Sequence, residues 1–327
     1  MAHYLVTGCA GFIASRVSEL LVEAGHTVTG VDDLNNAYDR RLKHWRLDRL
    51  KLHRGFTFAE ADIADNRVLS PLWAASPAPD AVFNLAARAG VRQSVENPAI
   101  YFDTNVGGTL NLLELARQSG VNRFLLASTS SLYGAHNAMP YDEESDTGRP
   151  LSPYAASKKA AEALCYSYHH LYGMDVVIPR YFTVYGPAGR PDMSAFRFVQ
   201  WISEGRPVTV YGDGTQKRDF TFVDDIARGT IAAGLQTKGF EIVNLGSDQP
   251  VELMEAIRMI ERLVGKPAQL QFVPAHRADV NATWANIDKA RRTLDWQPRT
   301  RLAEGLESLV GWYRDNAGWA RLIETGA

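Results

Sequence analysis

The segment Thr7-Gly8-Cys9-Ala10-Gly11-Phe12-Ile13-Ala14 constrains the fold more than any other stretch. It joins a strand-like run at 3–7 to a helix-like run at 12–24. Glycines at Gly8 and Gly11 let the chain turn tightly and bring bare backbone to a pyrophosphate, and the small Ala14 lets helix and sheet pack closely. The helix start adds unpaired N–H groups and a positive dipole end. A tight turn without a ligand would carry the same letters. The position between strand and helix decides for a dinucleotide cradle, with Gly8, Gly11, Phe12 and Ile13 as cofactor contacts.

Further strand candidates at 27–31, 56–59, 81–85 and 123–127 alternate with helix candidates at 39–51 and 98–120. Such alternation predicts an α/β fold, a doubly wound parallel sheet of Rossmann type. Two more strands are expected at 175–179 and 241–244. From about residue 180 glycine and proline become dense, as in Tyr185-Gly186-Pro187-Ala188-Gly189-Arg190-Pro191, which marks a smaller, interleaved C-terminal lobe. Residues 1–180 with about 217–250 are assigned to the dinucleotide domain, because 219–234 reads as a strand and helix of that domain. Residues 181–216 and 251–327 form the substrate lobe, with a ligand cleft between the two.

The 327 residues are 46% hydrophobic and 22% charged, which suits a globular chain with a large core. A formal charge of −2 lacks the basic footprint of a nucleic-acid partner, so an anionic ligand must be met by local arginines. Cys9 and Cys165 are too far apart for a disulfide scaffold and read as buried reduced thiols. No apolar run suits a membrane span, and no basic, cleavable leader precedes the first strand. The expectation is a cytoplasmic protein without a membrane partner. The histidines show no metal spacing, and no metal is assigned.

Asp32, ending the second strand, can accept both hydroxyls of an adenine ribose and repels the extra phosphate of NADP, so the expected cofactor is NAD. Arg40, Arg41 and Lys43 pull the other way. They belong to a charged helix with Arg46, Arg49 and Lys51, and such runs read as solvated faces. Asp62 and Ile63 after the third strand suit the adenine edge. Leu85, Ala86 and Ala87 after the fourth can pass near the phosphates and the nicotinamide ribose.

Tyr154 and Lys158 stand four apart on a helical stretch and share one face. A free phenol has a pKa of about 10, and bringing it to neutrality takes roughly 4 kcal/mol of differential interaction. A nearby ammonium and an oxidised nicotinamide ring could supply that in a dry cleft. The hydroxyl cluster Ser128-Thr129-Ser130-Ser131 ends the fifth strand at its carboxyl end, where such sheets bind ligands.

With TGCAGFIA, NLAA, ASTSSLYG, SPYAASK and Gln216-Lys217-Arg218-Asp219-Phe220 in this order, nearly the whole chain resembles the extended short-chain dehydrogenase/reductase family, and within it the nucleotide-sugar epimerases. Tyr181-Phe182-Thr183-Val184-Tyr185-Gly186-Pro187 and Gly189-Arg190-Pro191-Asp192-Met193 are most similar to the UDP-glucuronate 4-epimerase branch. The resemblance implies a catalytic triad of Thr129, Tyr154 and Lys158, with hydride from the sugar C4 taken up and returned by tightly held NAD. It also implies a UDP-sugar partner, most simply UDP-glucuronate passing to UDP-galacturonate through a 4-keto sugar, and a homodimer formed through the helices at 98–120 and 154–173. The alternatives are a UDP-glucose or UDP-N-acetylglucosamine 4-epimerase and a UDP-glucuronate decarboxylase. A net oxidoreductase on free NAD or a nucleotide-binding regulator lies further off.

The family's dehydratases carry an acidic pair after the threonine, and its decarboxylases a glutamate beside it. Ser130 and Ser131 stand there instead, which disfavours dehydration. Thr183, where glucose-type epimerases carry asparagine, joins Thr129, Ser130 and Ser131 as hydroxyls suited to a sugar carboxylate. The resemblance implies that Arg190, Arg218 and Arg277 fall in segments that line the nucleotide-sugar site, with Arg190 facing either the diphosphate or the carboxylate. Asp279 suits the uridine ribose, Val210 and Tyr211 the base, and Met193 with Phe196 the same wall. Arg88 and Arg92 are further candidates.

Overall fold

The computed structural model describes residues 1–275 and 279–325. The chain begins with β1 (His3–Thr7), α1 (Phe12–Glu23), β2 (Thr27–Asp32), α2 (Arg40–Leu50), β3 (Phe56–Glu60), α3 (Asn66–Ala75) and β4 (Ala81–Asn84). After β4 come α4 (Val91–Glu96), α5 (Ala99–Phe102), a π-helical turn at Asp103–Gly107, and α6 (Gly108–Gln118). The single helix expected over 98–120 is therefore interrupted. Gly108 lies where a Cβ would meet the Ile63 side chain at 2.6 Å, so α6 starts flush against the loop that follows β3. Next follow β5 (Arg123–Leu126), β6 (Ser128–Thr129), α7 (Pro153–Tyr172) and β7 (Asp175–Tyr181).

The later part runs through β8 (Thr183–Tyr185), α8 (Ser194–Glu204), β9 (Pro207–Tyr211), β10 (Lys217–Phe222), α9 (Val223–Gln236), β11 (Phe240–Leu245), β12 (Pro250–Glu252), α10 (Leu253–Val264) and β13 (Gln269–Val273). The main sheet has the order β11–β7–β5–β4–β1–β2–β3, with each neighbouring pair parallel. Succession reverses between β1 and β4, and such a switch point opens a crevice at the strands' carboxyl ends. A smaller sheet has the order β12–β10–β8, and β13 pairs with β9. The strand of the 219–234 stretch thus lies in the small sheet, not the large one, while its helix α9 packs along α1.

Successive strand residues point to opposite faces. Val6 and Phe83 join one apolar cluster with Val17, Leu21 and Ile226, while Leu5 and Val82 join another with Leu112 and Phe124. Helices cover both faces, so β4 is buried along its whole length. A third cluster, with Phe196, Val199, Val210, Ile257 and Leu309, forms the core of the smaller lobe. Among the described residues no helix is long and apolar enough to cross a membrane. Cys9 and Cys165 are both buried free thiols.

Candidate active site

One cleft of about 1390 Å³ runs along the carboxyl ends of the main sheet and under the smaller lobe. It exceeds the roughly 300–1,000 Å³ of an ordinary small-ligand pocket, leaving room for two ligands. At its inner end Gly8 takes φ +70°, and a Cβ there would stand 2.8 Å from the Ala86 backbone, so only glycine allows β1 and β4 to close at the switch point. Gly11 is the N-cap of α1 with no side-chain cap, which leaves first-turn N–H groups free for an anion. Ile13, Asp62, Ile63, Leu85, Ala86 and Ala87 line the same end.

Asp32 is buried, and its carboxylate accepts from the N–H of Ala10 at 3.2 Å and of Leu34 at 2.8 Å. Lys43 Nζ stands 3.3 Å from it and 3.8 Å from Asp33. The Asp32 carboxylate at the end of β2 disfavours an additional phosphate at that position. Lys43 and Arg46 are therefore not part of a solvated face. Both are buried, because α2 turns them inward onto the glycine turn, and only Arg40, Arg41, Arg49 and Lys51 of that run are exposed.

Ser152 caps α7 by accepting from Ala155 N at 3.2 Å, and Pro153 fixes the first helical position. Tyr154 is thereby held in the first turn, where the positive end of the helix dipole favours phenolate by about 0.3–1 kcal/mol. Tyr101 meets its ring edge-on at 6.2 Å. Burial raises the Tyr154 phenol pKa, and the Thr129 hydroxyl and the Arg190 guanidinium pull it back. Lys158, one turn later, is buried, donates to Ala127 O at 2.8 Å, and has its pKa lowered by burial to about 8 against the opposing charge of Glu162. Thr129 and Arg190 are thus two supports of the phenolate that the pairing of Tyr154 with Lys158 alone did not indicate.

Thr129 Oγ1 caps the 3-10 turn Ser130–Tyr133, accepting from Ser131 N at 3.2 Å and lying 3.2 Å from Ser131 Oγ. Thr129, Ser130, Ser131 and Thr183 line the cleft beside Tyr154 and Lys158. Ser128 also lines it, but its hydroxyl turns inward and donates to Glu162 at 2.6 Å.

At the outer end Arg190, Met193, Tyr211, Arg218 and Asp279 line the cleft. Arg190 pairs with Asp192 and donates to Ala89 O at 3.3 Å. Val210 does not line it. Strand alternation sends Val208 and Val210 into the small-lobe core and leaves Thr209 and Tyr211 facing the ligand space. Phe196 is likewise core, whereas Arg197, Phe198 and Trp201 of the same helix reach the cleft. Asp279 lines the cleft with a cationic partner that the sequence did not indicate. Arg92 Nη2 pairs with it at 2.6 Å while the guanidinium covers the Tyr211 ring at 3.7 Å. Arg92 lines the cleft and Arg88 does not. Arg277 lies outside the described residues.

One contributor escaped the sequence reading. Asn105, on the π-turn, donates to Ser157 Oγ at 2.9 Å and to Arg88 O at 3.0 Å, tying the loop after β4 to the catalytic helix. The Gly107-Gly108 pair inside an apparent helix was the available signal, since π-turns gather at functional sites.

The profile of the NAD dependent epimerase/dehydratase family matches residues 4–246. The chain belongs to this family. Among its relatives, the UDP-glucuronate 4-epimerase of Thermodesulfobacterium geofontis (strain OPF15) is 53% identical over 317 residues, covering 97% of each chain. The crystal structure of UDP-glucuronic acid 4-epimerase from Bacillus cereus in complex with UDP-glucuronic acid and NAD superposes with TM-score 0.89 at 35% identity, covering 96% of this chain and 99% of that one. UDP-glucose 4-epimerase from Thermotoga maritima with UDP-glucose gives TM-score 0.88 at 30% identity, covering 96% and 99%. Members of the family thus share this chain's architecture while carrying different sugars.

Proposed function

We propose that this chain is an NAD-dependent C4 epimerase of UDP-sugars that interconverts UDP-glucuronate and UDP-galacturonate through a transient 4-keto sugar. The observation that carries the proposal is the convergence of Thr129, Tyr154 and Lys158 with a row of hydroxyls in one cleft, in a chain 53% identical to a UDP-glucuronate 4-epimerase. The glycine approach at Ala86, the uncapped α1 and the buried Asp32 carboxylate fit a dinucleotide lacking a 2′-phosphate. NAD bound there supplies reversible hydride acceptance and return at the sugar C4.

Tyr154 takes the proton of the 4-hydroxyl and gives it back after the sugar has turned. Thr129 holds the phenolic oxygen, and Lys158 fixes the end of β5 through Ala127. A C4 ketone makes the C6 carboxylate part of a β-keto acid, which loses carbon dioxide when the breaking bond stands out of the ketone plane. Thr129, Ser130, Ser131 and Thr183 orient that carboxylate in the plane. Arg190, whose charge bears on Tyr154, serves the carboxylate end rather than the diphosphate. No carboxyl side chain occupies positions 130 and 131, which fits epimerisation and not dehydration. Arg218 and the 277–279 segment serve the UDP end, with Tyr211 at the base.

The division into a cofactor domain at 1–180 with 217–250 and a sugar lobe at 181–216 with 251–327 remains part of the proposal. So does a cytoplasmic homodimer, supported by the exposed apolar side chains Phe102, Leu110, Leu171 and Tyr172 on α5, α6 and α7. An anomeric NMR time course tests the activity. UDP-galacturonate should build up from UDP-glucuronate without net NADH, and Tyr154→Phe should slow this about 10²–10⁴-fold while still binding the sugar nucleotide. Release of carbon dioxide at the epimerisation rate, or turnover of UDP-glucose alone, overturns it.

A further inference from the structure

Arg46 is 3% exposed, yet among the described residues no carboxylate lies within 4.0 Å of it. Its Nε and Nη2 donate to Ala188 O at 3.0 and 2.6 Å, and Nη2 also reaches Gly189 O at 3.2 Å. Nη1 donates to Ala10 O at 3.0 Å and to the Tyr38 hydroxyl at 2.7 Å. The five N–H groups of a guanidinium are thus matched by these bonds. The Phe12 and Tyr38 rings lie 5.8 and 5.6 Å from its central carbon. A buried charge is ordinarily paired. This one is held by carbonyl dipoles and ring faces, with no carboxylate in contact among the described residues.

The partners come from two loops with separate tasks. Ala10 belongs to the glycine turn that opens α1, and Ala188 and Gly189 immediately precede Arg190. The second loop needs holding. Ala188 has φ +50°, a left-handed conformation costly for a residue with a Cβ. A Cβ on Gly189 would stand 3.7 Å from the Phe12 ring, so the loop packs directly on the first residue of α1.

We propose that Arg46 is a positioning residue that locks the Arg190 loop to the cofactor turn, so that occupancy of the cofactor site and of the sugar-nucleotide site are coupled through it. The inference rests on the reading of the cleft as a shared NAD and UDP-sugar site. An anion at α1 orders Ala10, Arg46 passes that order to Ala188 and Gly189, and Arg190 is presented to the sugar. By reciprocity, sugar nucleotide seated against Arg190 tightens the binding of cofactor, and a loop locked over the cofactor turn makes that gain show as slower departure.

The test measures release of bound NAD from holoenzyme, trapped by an alcohol dehydrogenase, with and without saturating UDP-glucuronate or UDP-glucose. The Tyr154→Phe background prevents turnover. With Arg46 present the sugar nucleotide should slow release by about fivefold or more, the lower range of inter-site coupling. In Arg46→Met the ratio should fall to about one on the same scale. Arg46→Lys keeps the charge without the fork, should behave like Arg46→Met, and keeps the test alive if the methionine variant does not fold.

A merely structural arginine would speed release equally under both conditions and leave the ratio unchanged. That result, a full rescue by lysine, or a ratio of one with either sugar nucleotide when Arg46 is present, overturns the proposal. Epimerisation by the otherwise unaltered chain is scored separately by NMR. Its absence removes the functional reading without altering what the release ratio says about Arg46.

Discussion

Two buried arginines, one beneath the cofactor turn and one behind the acid/base helix, are satisfied in different ways. Arg180 on β7 gives Nε and Nη2 to the carboxylate of Glu162 at 3.0 and 2.8 Å, and Nη1 to the Tyr133 hydroxyl at 3.1 Å. The same carboxylate takes Ser128 Oγ at 2.6 Å and bears on Lys158. Charge is cancelled on the spot, and the result is a closed scaffold behind the acid/base helix. Arg46 has carbonyls where Arg180 has a carboxylate. The difference teaches that burial alone does not assign a role to an arginine. A neutralised one holds its surroundings still, whereas one met by carbonyls ties together the loops that carry them.

The largest effect that could break this contrast is on stability. Glu162→Ala strands Arg180 in the core and should cost about 3–5 kcal/mol, whereas joint replacement by Glu162→Leu and Arg180→Met should be near neutral. Urea denaturation decides it, and a joint variant as unstable as the single one would show that the pair is not self-contained. Arg46→Met leaves the carbonyls of Ala10, Ala188 and Gly189 without this donor and should cost less, about 1–3 kcal/mol. A loss equal to that of Glu162→Ala would erase the distinction.

The smallest effect concerns pH. Lys158, with a pKa of about 8, is charged below that value, so kcat/KM should decline as pH rises through it. Glu162 raises that pKa, so Glu162→Gln should move the declining limb to lower pH. A limb that stays in place would separate the scaffold from the chemistry.

Most of the parallel sheet could be read from the chain because its signals are local. Glycines mark the first turn, and buried strands such as Ala81–Asn84 are short apolar runs between turn residues. Tyr154 and Lys158 could be set on one helix face by their spacing, and the strand end located the hydroxyl cluster, whereas the choice of Thr129 within it came from the family resemblance. The missing parts depend on which way a side chain turns. Leu42, Leu47 and Leu50 mark the buried face of α2 at helical spacing and Lys43 and Arg46 fall on it, a local signal that the surrounding charges masked. Val210 and Tyr211 are adjacent aromatic and aliphatic letters, and only the register of β9 against β13 sends one to the core. The partnering of Asp279 with Arg92 joins residues far apart in sequence, which no spacing rule reaches.

β10 ends at Phe222 and α9 begins at Val223, with no loop between them. The small sheet therefore runs without a joint into a helix clamped along α1, whose first turn is the cofactor cradle. The two walls of the cleft are thereby joined through continuous backbone, and side chains such as Thr183 and Arg190 set the space left between them.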